Sequence, residues 1–235
     1  FFLGPSSATN KMMSIERKLI SYHADVNAEI KVEMFLTIVR EEPRLFKNSL
    51  ERVKQLEMKP LQDPLQDRDW LELAQNFGLS LLEIRRVLDK DSKGFFNRYK
   101  IAMEYAIAHL ENLQSLHLPP ETKSLTLLQF AVLYQDAMQV ELLLAHNAHM
   151  EKRIFIQIGK SYPEELTPFE MAIELFKSKS QKEKDILNSM SIGNLLRILE
   201  LFTQKNSEYL EVKINNRSVS DLIKDFRENL NRKKQ

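Results

Sequence analysis

Apolar residues recur at intervals of three and four along most of the chain, the spacing that lays a stripe on one side of an α-helix. Over residues 15–57 they fall at Ile30, Met34 and Ile38, and again at Leu45, Leu50, Val53 and Leu56. Pro43 stands between the two runs and is expected to start the second helix, because proline is tolerated in a first turn. Residues 59–64, with Pro60 and Pro64, read as a bend or linker. Helical patterns follow over 67–77, 81–88 and 95–116. The middle one opens on Ser80 and Glu83 as a capping box, and Pro119-Pro120 ends the last. Two segments depart from the pattern. Residues 154–159 (Ile154, Phe155, Ile156) and 210–216 (Leu210, Val212, Ile214) carry β-branched residues in partial alternation and read as small hairpin arms. Residues 177–184, rich in Lys and Ser, suit a surface insertion, and 232–235 should fray. The expected fold class is therefore all-α with short arms, in two regions: an N-terminal helical region, 13–118, and a second region, 122–232.

The second region repeats itself. Thr126-Leu127-Leu128-Gln129, Thr167-Pro168-Phe169-Glu170 and, more faintly, Ser218-Val219-Ser220-Asp221 each place a hydroxyl where it can cap a helix, with an acceptor three residues on. Pro168 falls at the first helical position, where its missing N–H is no loss. Ala131 and Ala172 each follow their threonine at the same offset, and a side chain that small lets neighbouring helices approach closely.

Residues 126–150 resemble an ankyrin repeat over the full helix–turn–helix. Thr126, Leu128 and Ala131 match the family's opening Thr-Pro-Leu-His and the Ala after it, and Val140, Leu142, Leu143, Leu144 and Ala148 match the second helix and exit. Leu127 replaces the usual Pro, Gln129 the His, Gln135 the turn Gly, and Asn147 the Gly of the left-handed cap, where Asn is next best. A second unit matches through Leu166, Thr167, Pro168, Phe169 and Ala172 and resumes only near Gly193 and Asn194, so an insertion divides it. The starts are spaced more widely than the family's roughly 33 residues, which makes the array degenerate. The resemblance covers about half the chain. It implies paired helices stacked in a line with arms to one side, and a function of binding other macromolecules without chemistry.

Composition narrows the alternatives. With 34 basic and 33 acidic residues the formal net charge is +1, which offers no global field toward nucleic acid or an acidic membrane. The absence of Cys removes disulfides, thiolate catalysis and cysteine-ligated zinc. No apolar run approaches the roughly 20 residues a membrane span needs, so a soluble, cytoplasmic protein is expected. Only 5 Gly leave no phosphate-cradling loop or nucleophile elbow. The opening Phe1-Phe2-Leu3-Gly4-Pro5 reads as a leftover or processed end ahead of Met12 or Met13.

Several motifs invite other readings. Residues 69–80, containing Trp70 and Gly78, with Ile84 and Val87 beyond, resemble a repressor-type helix–turn–helix, part of a death domain, or another worn repeat. Arg85 and Arg86 lie on the second helix, but Glu83, Asp89 and Asp91 oppose them, which disfavours nucleic acid. Asp89, Asp91 and Gly94 mimic the start of a calcium loop, yet Lys93 and Lys100 occupy ligand places and reject the ion. His146 and His149 lack a third ligand, and Glu41-Glu42 and Glu164-Glu165 read as solvated faces. Catalytic residues, metal ligands and cofactors are therefore all expected to be none.

The expected function is a protein-interaction module. Carried over from the resemblance, its exposed partner-binding positions are Lys123, Leu125, Leu133, Tyr134, Gln135, Glu165 and Glu174, with Tyr134 as anchor because aromatic residues commonly dominate interfaces. Worn ankyrin repeats beside an unfamiliar helical region also resemble effector proteins that bacteria secrete into a host cell. That analogy implies a host eukaryotic protein as partner. The alternative is an enzyme or nucleic-acid binder that uses the N-terminal helices.

Overall fold

The computed structural model describes residues 25–58, individual positions from 94 to 116, then 118–158, 162–180 and 186–232. The expectations for residues 1–7, 59–64, 69–91 and 181–184 lie outside these. The described chain is mainly helical, with short strands in three antiparallel pairs. In chain order the elements are β1 (Glu29–Lys31), α1 (Val32–Met58), β2 (Ser124–Thr126), α2 (Leu127–Leu133), α3 (Ala137–Ala145), β3 (Ile154–Ile156), β4 (Glu164–Leu166), α4 (Pro168–Ser180), α5 (Ile186–Lys205), a 3-10 turn (Ser207–Glu211), β5 (Lys213–Ile214), β6 (Arg217–Ser218) and α6 (Val219–Arg232).

These residues fall into two compact units, one spanning Ile38–Asn112 and the other joining Asp25–Thr37 to Leu113–Gln235. The proline pair Pro119-Pro120 predicts one boundary between an N-terminal and a C-terminal region. In the structure, residues 25–37 belong instead with the C-terminal part, because Ile30 pairs with Leu125 in the β1–β2 ladder, and Glu29 with Thr126. Among the described residues, those of the smaller unit lie in chain order between two segments of the larger.

Two local expectations change with it. Ile30 lies in a strand, so it is not part of a helical stripe, and the buried stripe at the start of α1 is Phe35 and Val39 while Met34 is exposed. Both sets have a four-residue spacing, and burying the larger aromatic ring removes more apolar area from water. Pro43 starts no helix but sits inside α1, where it deletes one backbone hydrogen bond. Within the smaller unit Leu50, Met103, Ile107 and Leu110 are buried, and Lys47 reaches Glu111 at 2.7 Å.

In the larger unit α2 packs on α3 and α4 on α5, while across the pairs α2 packs on α4 and α3 on α5. First helices lie against first helices and second against second. Ala131 and Ala172 are fully buried, as the close-approach argument requires. Leu128, Leu133, Met171, Leu195, Ile198 and Phe202 fill the seams, each such burial contributing about 1.5–3 kcal/mol. α6 packs on α5, where Phe226 faces Gly193.

Candidate interaction surface

Each arm launches a helix through a hydroxyl cap. Thr126 Oγ1 accepts from the Gln129 N–H at 3.1 Å, and Gln129 Oε1 accepts from the Thr126 N–H at 2.8 Å. Gln129 is buried, and its amide nitrogen donates to the Lys152 carbonyl at 2.8 Å, tying this cap to the following arm. Thr167 and Glu170 repeat the reciprocal box at 3.3 and 2.8 Å. Burial pushes the Glu170 carboxyl up, but the Thr167 N–H and hydroxyl and the Arg153 guanidinium pull harder, so it lies below its ordinary range. Ser218 accepts from the Asp221 N–H at 3.1 Å and donates its hydroxyl to the Asp221 carboxylate, so the third cap is not reciprocal. This matches its fainter sequence signal.

The arms are β1–β2, β3–β4 and β5–β6. The second and third fall where alternation of β-branched residues predicts them. The first was not foreseen, because its strands are far apart in sequence and neither alternates strongly. Asn215 and Asn216 hold φ of 50° and 67° at the third tip, the left-handed pair that a two-residue hairpin turn demands. Neighbouring arms are tied together. Glu29 accepts from Lys152 and Ser124, and these bonds hold its carboxyl below the usual range. Asn27 Oδ1 accepts from the His149 N–H at 2.8 Å, and the Thr122 hydroxyl donates to the Phe155 carbonyl. Tyr209 stacks on Phe169 at 3.9 Å and donates its hydroxyl to Glu151 at 2.9 Å; burial, with Glu151, pushes the phenol up to about 12.

The seven carried-over positions divide sharply. Lys123 and Glu165 are exposed, on the first and second arms. Tyr134 and Glu174 are half-buried. Tyr134 stacks on Phe130 at 4.5 Å and meets Phe35 edge-on, and Glu174 accepts from Lys177 at 2.6 Å. Leu125, Leu133 and Gln135 are buried, against the expectation that all seven are exposed. The cause is tertiary. Leu125 faces inward from β2, Leu133 fills the seam below α2, and Gln135 turns its side chain inward to accept from Ser191 at 2.5 Å.

Surface residues that the carry-over missed are Tyr162, 88% exposed, and Phe155, 38% exposed, both of the second arm. Phe155 was legible, since alternation between Ile154 and Ile156 sends it to the opposite face. Met34 and Met138 are also exposed. Opposite the Phe155 backbone in register lies Glu165, whose carbonyl accepts from Arg153 at 2.8 Å. A cavity of about 360 Å³ opens where the end of α3 passes the end of α5, floored by Leu144, Ala148 and Met150.

His146 and His149 are both exposed, and His146 Nδ1 lies 2.9 Å from the Leu142 carbonyl at the end of α3. Among the described residues no group of three or more His, Asp or Glu side chains is placed to hold a metal, and no helix is long and apolar enough to cross a membrane. No family model, curated protein or solved structure matches the chain.

Proposed function

We propose that the chain is a non-catalytic protein-interaction module whose larger unit is a degenerate ankyrin-type array. The observation that carries this reading is the nesting of the two helix pairs, first helix on first and second on second, each first helix launched from an arm by a reciprocal cap. Further support comes from Gln135 and Asn147. They stand where the resemblance puts glycine, and both hold positive φ, 54° and 62°. A degenerate array can lose its glycines while the backbone keeps the conformation that favoured them.

The partner lies against the arms, on Lys123, Phe155, Tyr162 and Glu165, whose exposure leaves contact area free. The analogy with secreted effectors makes a eukaryotic protein the partner to seek. In the test, the whole chain serves as bait in eukaryotic lysate and the captured protein is purified. Dissociation constants are then measured for wild type and for Phe155→Asp/Tyr162→Asp. At least a tenfold loss, about 1.4 kcal/mol, with unchanged thermal stability is expected. Undiminished binding by the double variant would overturn the arm assignment.

A further inference from the structure

The cavity at the end of α3 carries charge of both signs around an apolar floor. Leu144 and Ala148 are buried and Met150 is half-buried, and these three make the floor. Asn147, His149, Glu151 and Lys205, all exposed, make the rim. The Glu151 carboxylate accepts from the Tyr209 hydroxyl at 2.9 Å, and that neutral donor leaves its negative charge in place. Among the described residues neither Glu151 nor Lys205 has an ion pair, with the other or with a third group. Both α3 and α5 end here, so the partial negative charge of their last carbonyls adds to that of Glu151, while Lys205 supplies a permanent cation.

A ligand for this mouth must bring both signs. A lone anion meets Glu151 and the two helix ends, and a lone cation meets Lys205. It must also bring an apolar body for the floor. Polypeptide ends fail the first requirement, because each terminus carries one sign only. We propose that the cavity binds a free α-amino acid with an apolar side chain. The side chain lies on the Leu144–Ala148–Met150 floor, the ammonium on Glu151 and the carboxylate on Lys205. The Asn147 amide, donor and acceptor at once, serves either charged group. The volume, about 360 Å³, falls at the small end of ligand sites, a size for a single amino acid. The site shares no residue with the Phe155 and Tyr162 surface and does not depend on the interaction reading.

The test follows backbone amide shifts of the isotopically labelled full chain during titration with L-leucine. The comparisons are N-acetyl-leucine, which lacks the ammonium, leucinamide, which lacks the carboxylate, and glycine, which lacks the apolar body. Leucine should shift the Asn147, Ala148, Met150 and Lys205 amides saturably in the millimolar range. Each single-charge analogue should bind about fivefold more weakly, the upper reach of one exposed ion pair, and glycine should give no shift. Two variants at exposed positions then assign the charges, with thermal unfolding as the check on folding. Lys205→Gln should abolish the preference for leucine over leucinamide and keep that over N-acetyl-leucine. Glu151→Gln should do the converse. No saturable shift up to about 20 mM leucine overturns the site, as does an analogue that binds as tightly as leucine. Variants that leave both preferences unchanged overturn the charge assignment, and glycine binding as well as leucine overturns the apolar floor. The analogue comparison on the wild-type chain decides the proposal even where a variant fails to fold.

Discussion

Gln135 and Asn147 share a left-handed backbone but differ in everything else, so glycine should act differently at each. An L-residue in this region is strained by roughly 1–2 kcal/mol, less for Asn, and glycine relieves that strain while costing about 0.5–1 kcal/mol in chain entropy. At Asn147, which is exposed and whose side chain makes no hydrogen bond among the described residues, the two effects nearly cancel, so Asn147→Gly should change stability by no more than about 0.5 kcal/mol. Asn147→Ala keeps the strain without the local tolerance of Asn and should cost about 1 kcal/mol. At Gln135, only 2% exposed, glycine also removes the acceptor of the buried Ser191 hydroxyl and leaves a void. An unsatisfied buried hydroxyl costs about 1–3 kcal/mol, which outweighs the relieved strain, so Gln135→Gly should lose about 2 kcal/mol net. Hydrogen exchange of the buried Val140 and Leu143 amides in urea reads the stability of this unit alone. A stabilising Gln135→Gly, or a silent Asn147→Ala, would refute the reasoning.

Thr126→Ala removes a buried, reciprocal cap and should destabilise the larger unit by about 1–2 kcal/mol, against less for the half-buried, non-reciprocal Ser218→Ala, both measured by urea unfolding. Gly193→Ala adds a methyl that meets the Phe226 ring at 3.6 Å, ordinary contact distance, and should stabilise by about 0.5–1 kcal/mol; a loss of melting temperature would mean the α5–α6 seam has no room for a methyl. Burial raises the Glu200 carboxyl, but Arg197 at 2.6 Å and Arg227 at 2.7 Å together lower it below its usual value. A depressed folded-state pKa stabilises above the unfolded value and is lost as pH falls through the folded one. Acid unfolding of wild type should therefore steepen below about pH 4.5, and Glu200→Gln should flatten that limb. Equal acid limbs for both proteins would exclude Glu200 from the acid response.

What could be read from the chain by itself was local. Thr126 and Thr167 cap because a hydroxyl followed by an acceptor three residues on satisfies nearby N–H groups whatever surrounds it. Ile154 and Ile156 pair in an arm because alternation is a property of the strand itself, and Ala131 and Ala172 signal close approach through their size. Tertiary structure alone decided the rest. Ile30 became a strand residue because its partner, Leu125, arrives from a distant part of the chain, and no spacing within residues 15–57 encodes that. For the same reason residues 25–37 join the larger unit, apart from the helical region at 38–112 that follows them. Leu125, Leu133 and Gln135 were assigned to a surface by their place in a motif, yet burial depends on which helix or arm covers a residue. The cavity beside Lys205 has no sequence signature, since the end of α3 and the end of α5 meet only when the helix pairs nest. Hydrogen bonding to the next turn is written in neighbouring residues, whereas exposure and enclosure are sums over contacts that only the folded chain assembles.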